Sequence, residues 1–267
     1  MNDNVFFPDF NYFFKTGLFD VIEDYRDIHA DVYDLLRGDT KNEIDFYKTL
    51  LPSNNSIIAE LGCGTGCLTI PLAKYCKSIL AIDNSPDMLN KLKKKCNGIP
   101  KVNEVIQLKK GNFVNVMNTY ENYFDLIIIP FNTLVHILSP RKHLELFQKC
   151  AVSLKQSGYL VVDLWMPRQY KIEPLKRFSV VSSREQAWAM YSQEKYLPPH
   201  TRILNIMMIS LMGSRKPALT TVREYVFHKC ELRKLFAGAG LKLQRLPINH
   251  PLLQGNKRRL IYFGRKK

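Results

Sequence analysis

Glu60-Leu61-Gly62-Cys63-Gly64-Thr65-Gly66 is the stretch on which the fold turns. It closes the apolar run Ser56-Ile57-Ile58-Ala59, which reads as a buried parallel strand, and it precedes Cys67-Leu68-Thr69-Ile70-Pro71-Leu72-Ala73-Lys74-Tyr75, which reads as a helix start. Glycines at alternate positions let the main chain turn with positive φ and leave bare backbone for a ligand. The helix N-terminus behind such a turn offers free N–H groups and a positive dipole end to an anionic group. Cys63 and Cys67 are small packing residues in this setting.

Nicotinamide and flavin enzymes also use a glycine turn, but theirs is G-x-G-x-x-G. The spacing here is E-x-G-x-G-x-G, with an acid ahead of the first glycine, and a second acid, Asp83, ends the next apolar run Ser78-Ile79-Leu80-Ala81-Ile82. A carboxylate at that place can accept both hydroxyls of a ribose. With these residues the chain resembles the class I S-adenosylmethionine (SAM) methyltransferases. The resemblance implies SAM as cofactor and S-adenosyl-L-homocysteine as product. It also implies an α/β fold: a Rossmann-like, doubly wound, mostly parallel seven-stranded sheet with helices on both faces.

Working outward, residues 1–52 read as an N-terminal helical cap. Within it, Val21, Tyr25, Ile28, Val32 and Leu35 mark one face of an amphipathic helix over 19–36, flanked by an acidic stripe of Asp20, Asp24, Asp27, Asp31 and Asp34. Residues 53–166 alternate strands (near 56–61, 78–83, 103–108, 124–130 and 158–164) with helices (66–76, 85–97 and 139–154), which implies a parallel sheet. Residues 167–227 break the alternation with candidate strands at 175–182, 185–191, 202–212 and 219–227. They read as an inserted antiparallel β meander, a substrate lid. Residues 228–267 supply a helix at 229–238 and a closing hairpin near 241–247 and 258–264, its last strand antiparallel to the rest as the resemblance implies.

The resemblance also assigns roles. Glu60, Gly62, Cys63, Gly64 and Gly66 approach the methionine end of SAM and Asp83 its ribose. Asn84 and Met88 lie near the adenine, and Pro130 borders the cofactor. Gly111-Asn112-Phe113 stands where family members often have Gly-Asp-aromatic, so Asn112 either accepts from the adenine or only caps the next helix. The fourth strand ends in Pro130-Phe131-Asn132-Thr133-Leu134-Val135-His136 and not in the Asn/Asp-Pro-Pro-aromatic of enzymes that methylate exocyclic nucleic-acid or glutamine nitrogens. That ending resembles the branch acting on small molecules and peptide-derived metabolites, of which the plantazolicin-type N-methyltransferases are one similar group.

In that loop His136 is either a base or polar orienter, since imidazole titrates near neutrality, or a structural histidine. Asp163, beside Trp165, either binds a substrate cation or hydroxyl or holds the neighbouring loop. Tyr33 resembles the cap tyrosine that covers SAM in this branch, with core packing as the alternative. Phe131, Asn132, Trp165, Arg223 and Tyr225 are the candidate substrate contacts.

Composition sets the outer bounds. The chain has 267 residues, 46% hydrophobic and 11% aromatic, which supports a packed core. No apolar run approaches the ~20 residues that span a bilayer, so no membrane partner is expected. No basic segment precedes Val5-Phe6-Phe7, so no secretory signal is expected. Six scattered cysteines without paired spacing suit a reduced cytoplasm and no metal site. The net charge of +15 is uneven: residues 1–150 hold 17 basic against 18 acidic residues, and residues 151–267 hold 22 against 6. The basic half is either a solvated surface or a nucleic-acid surface.

Three readings follow. The first is methyl transfer to an amine (or hydroxyl) of a small molecule or peptide-derived metabolite in natural-product biosynthesis. The second is an RNA methyltransferase docked through the basic half, including Lys257-Arg258-Arg259 and Arg265-Lys266-Lys267. The third is a SAM-binding protein without catalysis. The acidic stripe favours a cationic acceptor in the first reading, or packs against the basic C-terminal half.

Overall fold

The computed structural model describes residues 8–22, 25–166, 175–213, 215–246, 250–253 and 258–266. The chain divides into two compact units: Met1–Gly38 with Gln169–Val226, and Asp39–Arg168 with Phe227–Lys267. In chain order the elements begin with α1 (Pro8–Lys15), β1 (Asp20–Val21), α2 (Asp27–Arg37), α3 (Lys41–Thr49), β2 (Ile57–Leu61) and α4 (Thr69–Leu72). They continue through β3 (Ser78–Asp83), α5 (Pro86–Cys96), α6 (Pro100–Val105), β4 (Ile106–Lys110), α7 (Phe113–Val116), β5 (Phe124–Ile129), α8 (Pro140–Ser153) and β6 (Leu154–Trp165). Next come β7 (Leu175–Ser182), β8 (Ala187–Leu197), β9 (Thr201–Ser210), β10 (Ala218–Tyr225), α9 (Lys229–Gly238), β11 (Leu241–Arg245) and β12 (Arg259–Lys266).

The larger unit is a seven-stranded sheet in the order β11-β12-β6-β5-β2-β3-β4. The strands from β6 to β4 run parallel, and β12 lies antiparallel to both of its neighbours. Parallel strands covered on both faces must be apolar throughout. Leu126, Ile127, Ile128 and Ile129 of β5 are accordingly all fully buried, each contributing roughly 1.5–3 kcal/mol. The chain runs β2, β3, β4 outward and then returns to β5 on the other side of β2. That reversal opens a crevice at the carboxyl ends of β2 and β5, where ligands of open α/β sheets lie. Local signals hold the flanking helices: Ser85 Oγ accepts from the Met88 N–H at 3.3 Å with Pro86 in the first turn, so α5 starts at a capped, proline-led end.

The smaller unit is a five-stranded sheet, β1-β10-β9-β8-β7, antiparallel except where β1 lies parallel to β10. Ile28 and Val32 of α2 pack in one cluster with Trp188, Met190, Ile206, Met208 and Val222.

Three expectations about elements are corrected. The helix expected over 19–36 exists only from Asp27: Asp20 and Ile22 donate their N–H groups to Pro217 and Leu219 at 2.9 Å, so the sheet takes this backbone, and Tyr25 and Asp27 turn the chain with φ of 56° and 43°. The strand expected over 103–108 begins at Ile106, because Pro100 leads a helical turn whose Val102 packs inward. The helix expected over 66–76 is α4 followed by a tighter turn over Ala73–Tyr75. The acidic stripe also finds partners inside its own unit, where Lys216 pairs with Asp20 at 2.7 Å and Arg215 pairs with Asp31. Asp24 lies outside the described residues.

Candidate active site

The glycine turn is closed by its own main chain and by Asp83. Gly62 and Cys63 donate to the Ile82 carbonyl at 2.8 and 3.0 Å, and Gly66 donates to Cys63 at 3.0 Å. Gly64 donates to Asp83 Oδ2 at 2.8 Å, and Ser85 donates to Oδ1 at 2.9 Å. Asp83 therefore ties the turn to the end of β3, and its carboxylate keeps some acceptor capacity for a ligand hydroxyl. Burial raises its pKa, opposed by the N–H groups of Ser85, Gly64 and Asn84 and by the nearby His136. Gly62 has φ +80°, and a Cβ there would stand 2.3 Å from Thr133 Cγ2. Only glycine lets the turn after β2 and the loop after β5 pack together.

Glu60, at the end of β2, is buried, and its Oε2 accepts from Thr69 Oγ1 at 2.6 Å. Burial raises its pKa to about 8; the Thr69 hydrogen bond works against the rise and the Asp83 charge adds to it. Burial also pushes the Cys63 thiol well up, which leaves it inert at neutral pH. The set has the polarity a SAM molecule asks for: a carboxylate with spare lone pairs for the ribose, a buried acid suited to an ammonium, and bare backbone between them. Met88 is buried in α5 and Asn84 is exposed beside Asp83.

The loop after β5 has an unusual backbone. Phe131 and Asn132 have φ of 50° and 68° in succession. A non-glycine residue held there costs roughly 1–3 kcal/mol, so surrounding contacts must hold it. Those contacts come from the end of β6. The Phe131 N–H donates to Asp163 Oδ2 at 3.3 Å, the Asn132 N–H to the Asp163 carbonyl at 3.0 Å, and the Trp165 N–H to Asn132 Oδ1 at 3.0 Å. Asp163 is fully buried and gripped by Arg259, whose Nε reaches Oδ1 at 3.0 Å and Nη2 reaches Oδ2 at 2.7 Å. Arg259 Nη1 then meets Glu43 Oε1 at 2.6 Å.

Several sequence assignments change against this geometry. Asp163 leaves the catalytic set, because its carboxylate is taken up by Arg259 and the loop backbone. Asn112 Oδ1 accepts from the Val114 N–H at 2.9 Å and so caps α7. Arg259 leaves the basic surface run Lys257-Arg258-Arg259, being 8% exposed and ion-paired, while Lys257 and Lys267 lie outside the described residues. His136 is half-buried on the loop after β5, and Pro130 is buried. Phe113 and Phe131 are half-buried, and Trp165 is 38% exposed.

Tyr33, Arg223 and Tyr225 belong to the smaller unit. There Tyr33 meets Tyr25 edge-on at 5.9 Å, Tyr225 is buried and stacked on His200 at 4.8 Å, and Arg223 is exposed. Glu43 and Thr69 went unassigned in the sequence, and Arg259 was read only as part of a basic surface run. The signal was available: Asp163 stands inside the apolar strand Leu160-Val161-Val162-Asp163-Leu164, and Arg259 heads Leu260-Ile261-Tyr262-Phe263. A charge inside such a strand needs a buried partner.

Comparison with known proteins bears on the domain and the fold. The family described as "Methyltransferase domain" matches residues 58–158. A cypemycin N-terminal methyltransferase from Streptomyces sp is 25% identical over 120 residues, 45% of this chain and 46% of that protein. A dimethyladenosine transferase from Saccharomyces cerevisiae is 34% identical over 86 residues, 32% of this chain and 25% of that protein. The matched segments thus span less than half the length of these curated relatives. Among solved structures, the CcbJ methyltransferase from Streptomyces caelestis shares the fold with a TM-score of 0.72 at 22% identity, covering 89% of this chain and 95% of that one.

Proposed function

Residues 58–158 form a methyltransferase domain of the class I, SAM-dependent kind, and on that premise we propose that the chain methylates an amine of a small molecule or peptide-derived metabolite. The observation that carries the choice of an amine is the Asp163–Arg259 pair. With Asp163 buried in that pair, His136 is the one titratable side chain in the loop 130–138. A hydroxyl acceptor needs a strong base, whereas an amine attacks as its free base and sheds a proton afterwards. When bound, SAM supplies an electrophilic methyl carbon, to which the acceptor nitrogen's lone pair bonds as the C–S bond breaks and its electron pair goes to sulfur.

The protein's part is alignment. Asp83 and the glycine turn hold the cofactor, the loop after β5 presents the acceptor, and reactants held at about 3–3.5 Å supply most of the acceleration. His136 accepts the proton that the methylated nitrogen releases, or passes it to solvent. The neighbourhood of an N-terminal methyltransferase among the relatives supports an amine. The acidic stripe no longer supports it, since Asp20 and Asp31 are paired with Lys216 and Arg215.

The test is transfer of isotope-labelled methyl groups from SAM into an amine- and peptide-rich extract and, in parallel, into total tRNA and rRNA. Label in the extract, with a mass shift on nitrogen, supports the proposal; label in RNA alone rejects it. The RNA reading draws on the dimethyladenosine transferase similarity and on exposed Lys93, Lys94, Lys101, Lys109 and Lys110 around the sheet edge at β4. Lys109 and Lys110 lie on the edge strand β4 itself, where lysine blocks edge-to-edge pairing, which accounts for those two without a ligand. Among the described residues no helix is long and apolar enough to cross a membrane.

A further inference from the structure

We propose that Arg259 is a positioning residue: it holds Asp163 so that Phe131 and Asn132 keep the left-handed backbone on which the acceptor is presented, with Glu43 of α3 anchoring its far side. The inference rests on the function proposed above for the loop after β5.

Among the described residues, four polar contacts hold the guanidinium. Two go to Asp163, at 3.0 and 2.7 Å, one to Glu43 at 2.6 Å, and a longer one from Nη1 to the Leu252 carbonyl at 3.4 Å. Glu43, Asp163 and Arg259 are 6%, 0% and 8% exposed. A buried pair of this kind adds little to stability compared with apolar side chains of similar volume, so stability alone is a weak reason for it. Its geometry supplies a better one. Asp163 Oδ2 receives both Arg259 Nη2 and the Phe131 N–H, while the Asp163 carbonyl receives the Asn132 N–H. Two adjacent non-glycine residues with positive φ do not hold that shape unaided, and Asp163 is bonded to both of their N–H groups. The orientation of its carboxylate is set by the planar fork of Arg259, which lysine cannot reproduce.

The same network reaches the cofactor side. Glu43 lies one helical turn from Thr40, whose Oγ1 donates to the Cys67 carbonyl just beyond the glycine turn at 3.2 Å. The N-terminal end of α3 thus touches both halves of the site, the cofactor turn through Thr40 and the acceptor loop through Glu43 and Arg259. A shift of about 1 Å at the acceptor is enough to cost roughly 100-fold in rate.

The experiment uses the full chain with Arg259→Lys, Glu43→Gln and, as a control on the exposed Lys41–Asp45 pair of α3, Lys41→Gln. Three quantities are measured: amide hydrogen exchange of the segment containing Phe131 and Asn132, SAM affinity by calorimetry, and kcat and KM on the acceptor that the wild type methylates. Arg259→Lys is expected to speed exchange of that segment about 10-fold or more and to lower kcat by about 10- to 100-fold. SAM affinity stays within about two-fold. Glu43→Gln moves the same readouts the same way by less, and it carries the test if Arg259→Lys fails to fold. Unchanged exchange overturns the proposal. So does a loss of kcat that only tracks thermal stability and SAM affinity together. If the wild type methylates no amine, the functional proposal fails by itself, and the exchange measurement still decides what Arg259 positions.

Discussion

Glu60→Gln is expected to stabilise the ligand-free protein by an amount that grows with pH. Glu60 is 1% exposed, and burial raises its pKa from the ordinary 4.5 to about 8. In the unfolded chain the carboxyl returns to its ordinary value. Between those two values the folded protein holds a proton that the unfolded chain has released, so folding stability is full below about pH 4.5 and declines as the pH climbs towards 8. The interval of about 3.5 units at ~1.4 kcal/mol per unit comes to about 5 kcal/mol, with about 3 kcal/mol already lost at pH 7. Glutamine fills the same space, can still accept from Thr69 Oγ1, and does not titrate in this range.

Guanidinium unfolding of wild type and variant at pH 5, 6, 7 and 8 reads the difference directly. Because Asp83 also titrates from a raised pKa, the comparison between the two proteins matters, not the wild-type curve alone. The expected result is near-equal stability at pH 5 and a variant more stable by several kcal/mol at pH 8. Parallel curves across the range would refute the reasoning, because they would mean that Glu60 is charged in the folded state throughout. A corollary concerns binding: an ammonium placed beside Glu60 favours the charged form, so SAM affinity is expected to rise with pH up to about 8 and to become flat in the Gln variant.

Further outcomes follow from the same geometry. Asp83→Asn keeps the Ser85 or the Gly64 contact but replaces a charged acceptor with a neutral amide, so SAM affinity measured by calorimetry is expected to fall about 10- to 100-fold, the scale of one charge-assisted hydrogen bond. Gly62→Ala places a Cβ 2.3 Å from Thr133 Cγ2 at φ +80°. It is expected to lower stability by about 2 kcal/mol or more, seen as a lower unfolding midpoint, and to weaken SAM binding with it. His136→Asn is expected to leave SAM affinity unchanged and to lower kcat by less than about 10-fold, because the amine sheds its proton only after the methyl has moved; a loss of about 100-fold, the scale of a general base acting in the transition state, would point to a hydroxyl acceptor instead.

The geometry of the proposed cofactor side was legible because its determinants are local. A glycine turn needs positive φ at fixed positions, and an acid closing the next apolar strand falls at the same end of a parallel sheet whatever packs around it. The resulting residues, from Glu60 through Gly66 to Asp83, lie within one strand–turn–helix–strand unit. The acceptor side was only partly legible. His136 and Asn132 stood out because they follow an apolar strand, but Asp163 stayed open between a substrate contact and a holder of the neighbouring loop, and Arg259 looked like part of a surface patch. Their pairing spans 96 residues, and no local pattern records which distant charge a buried carboxylate will meet. The acidic stripe stayed open between two readings for the same reason; its packing against the basic C-terminal half is the one the structure shows for Asp20 and Asp31, whose partners Lys216 and Arg215 lie 196 and 184 residues away in sequence.

The sequence by itself therefore determined the parallel sheet, the glycine turn and the two carboxylates that flank it, because backbone conformation and strand burial are encoded within a few neighbouring residues. Tertiary structure alone decided the state of each charge. It showed Glu60 buried and inclined to protonate, Asp163 locked by Arg259 and Glu43, and Asp20 and Asp31 neutralised within their own unit. A side chain's charge and reach are written at its own position, but its desolvation and its partners exist only once distant segments pack against it.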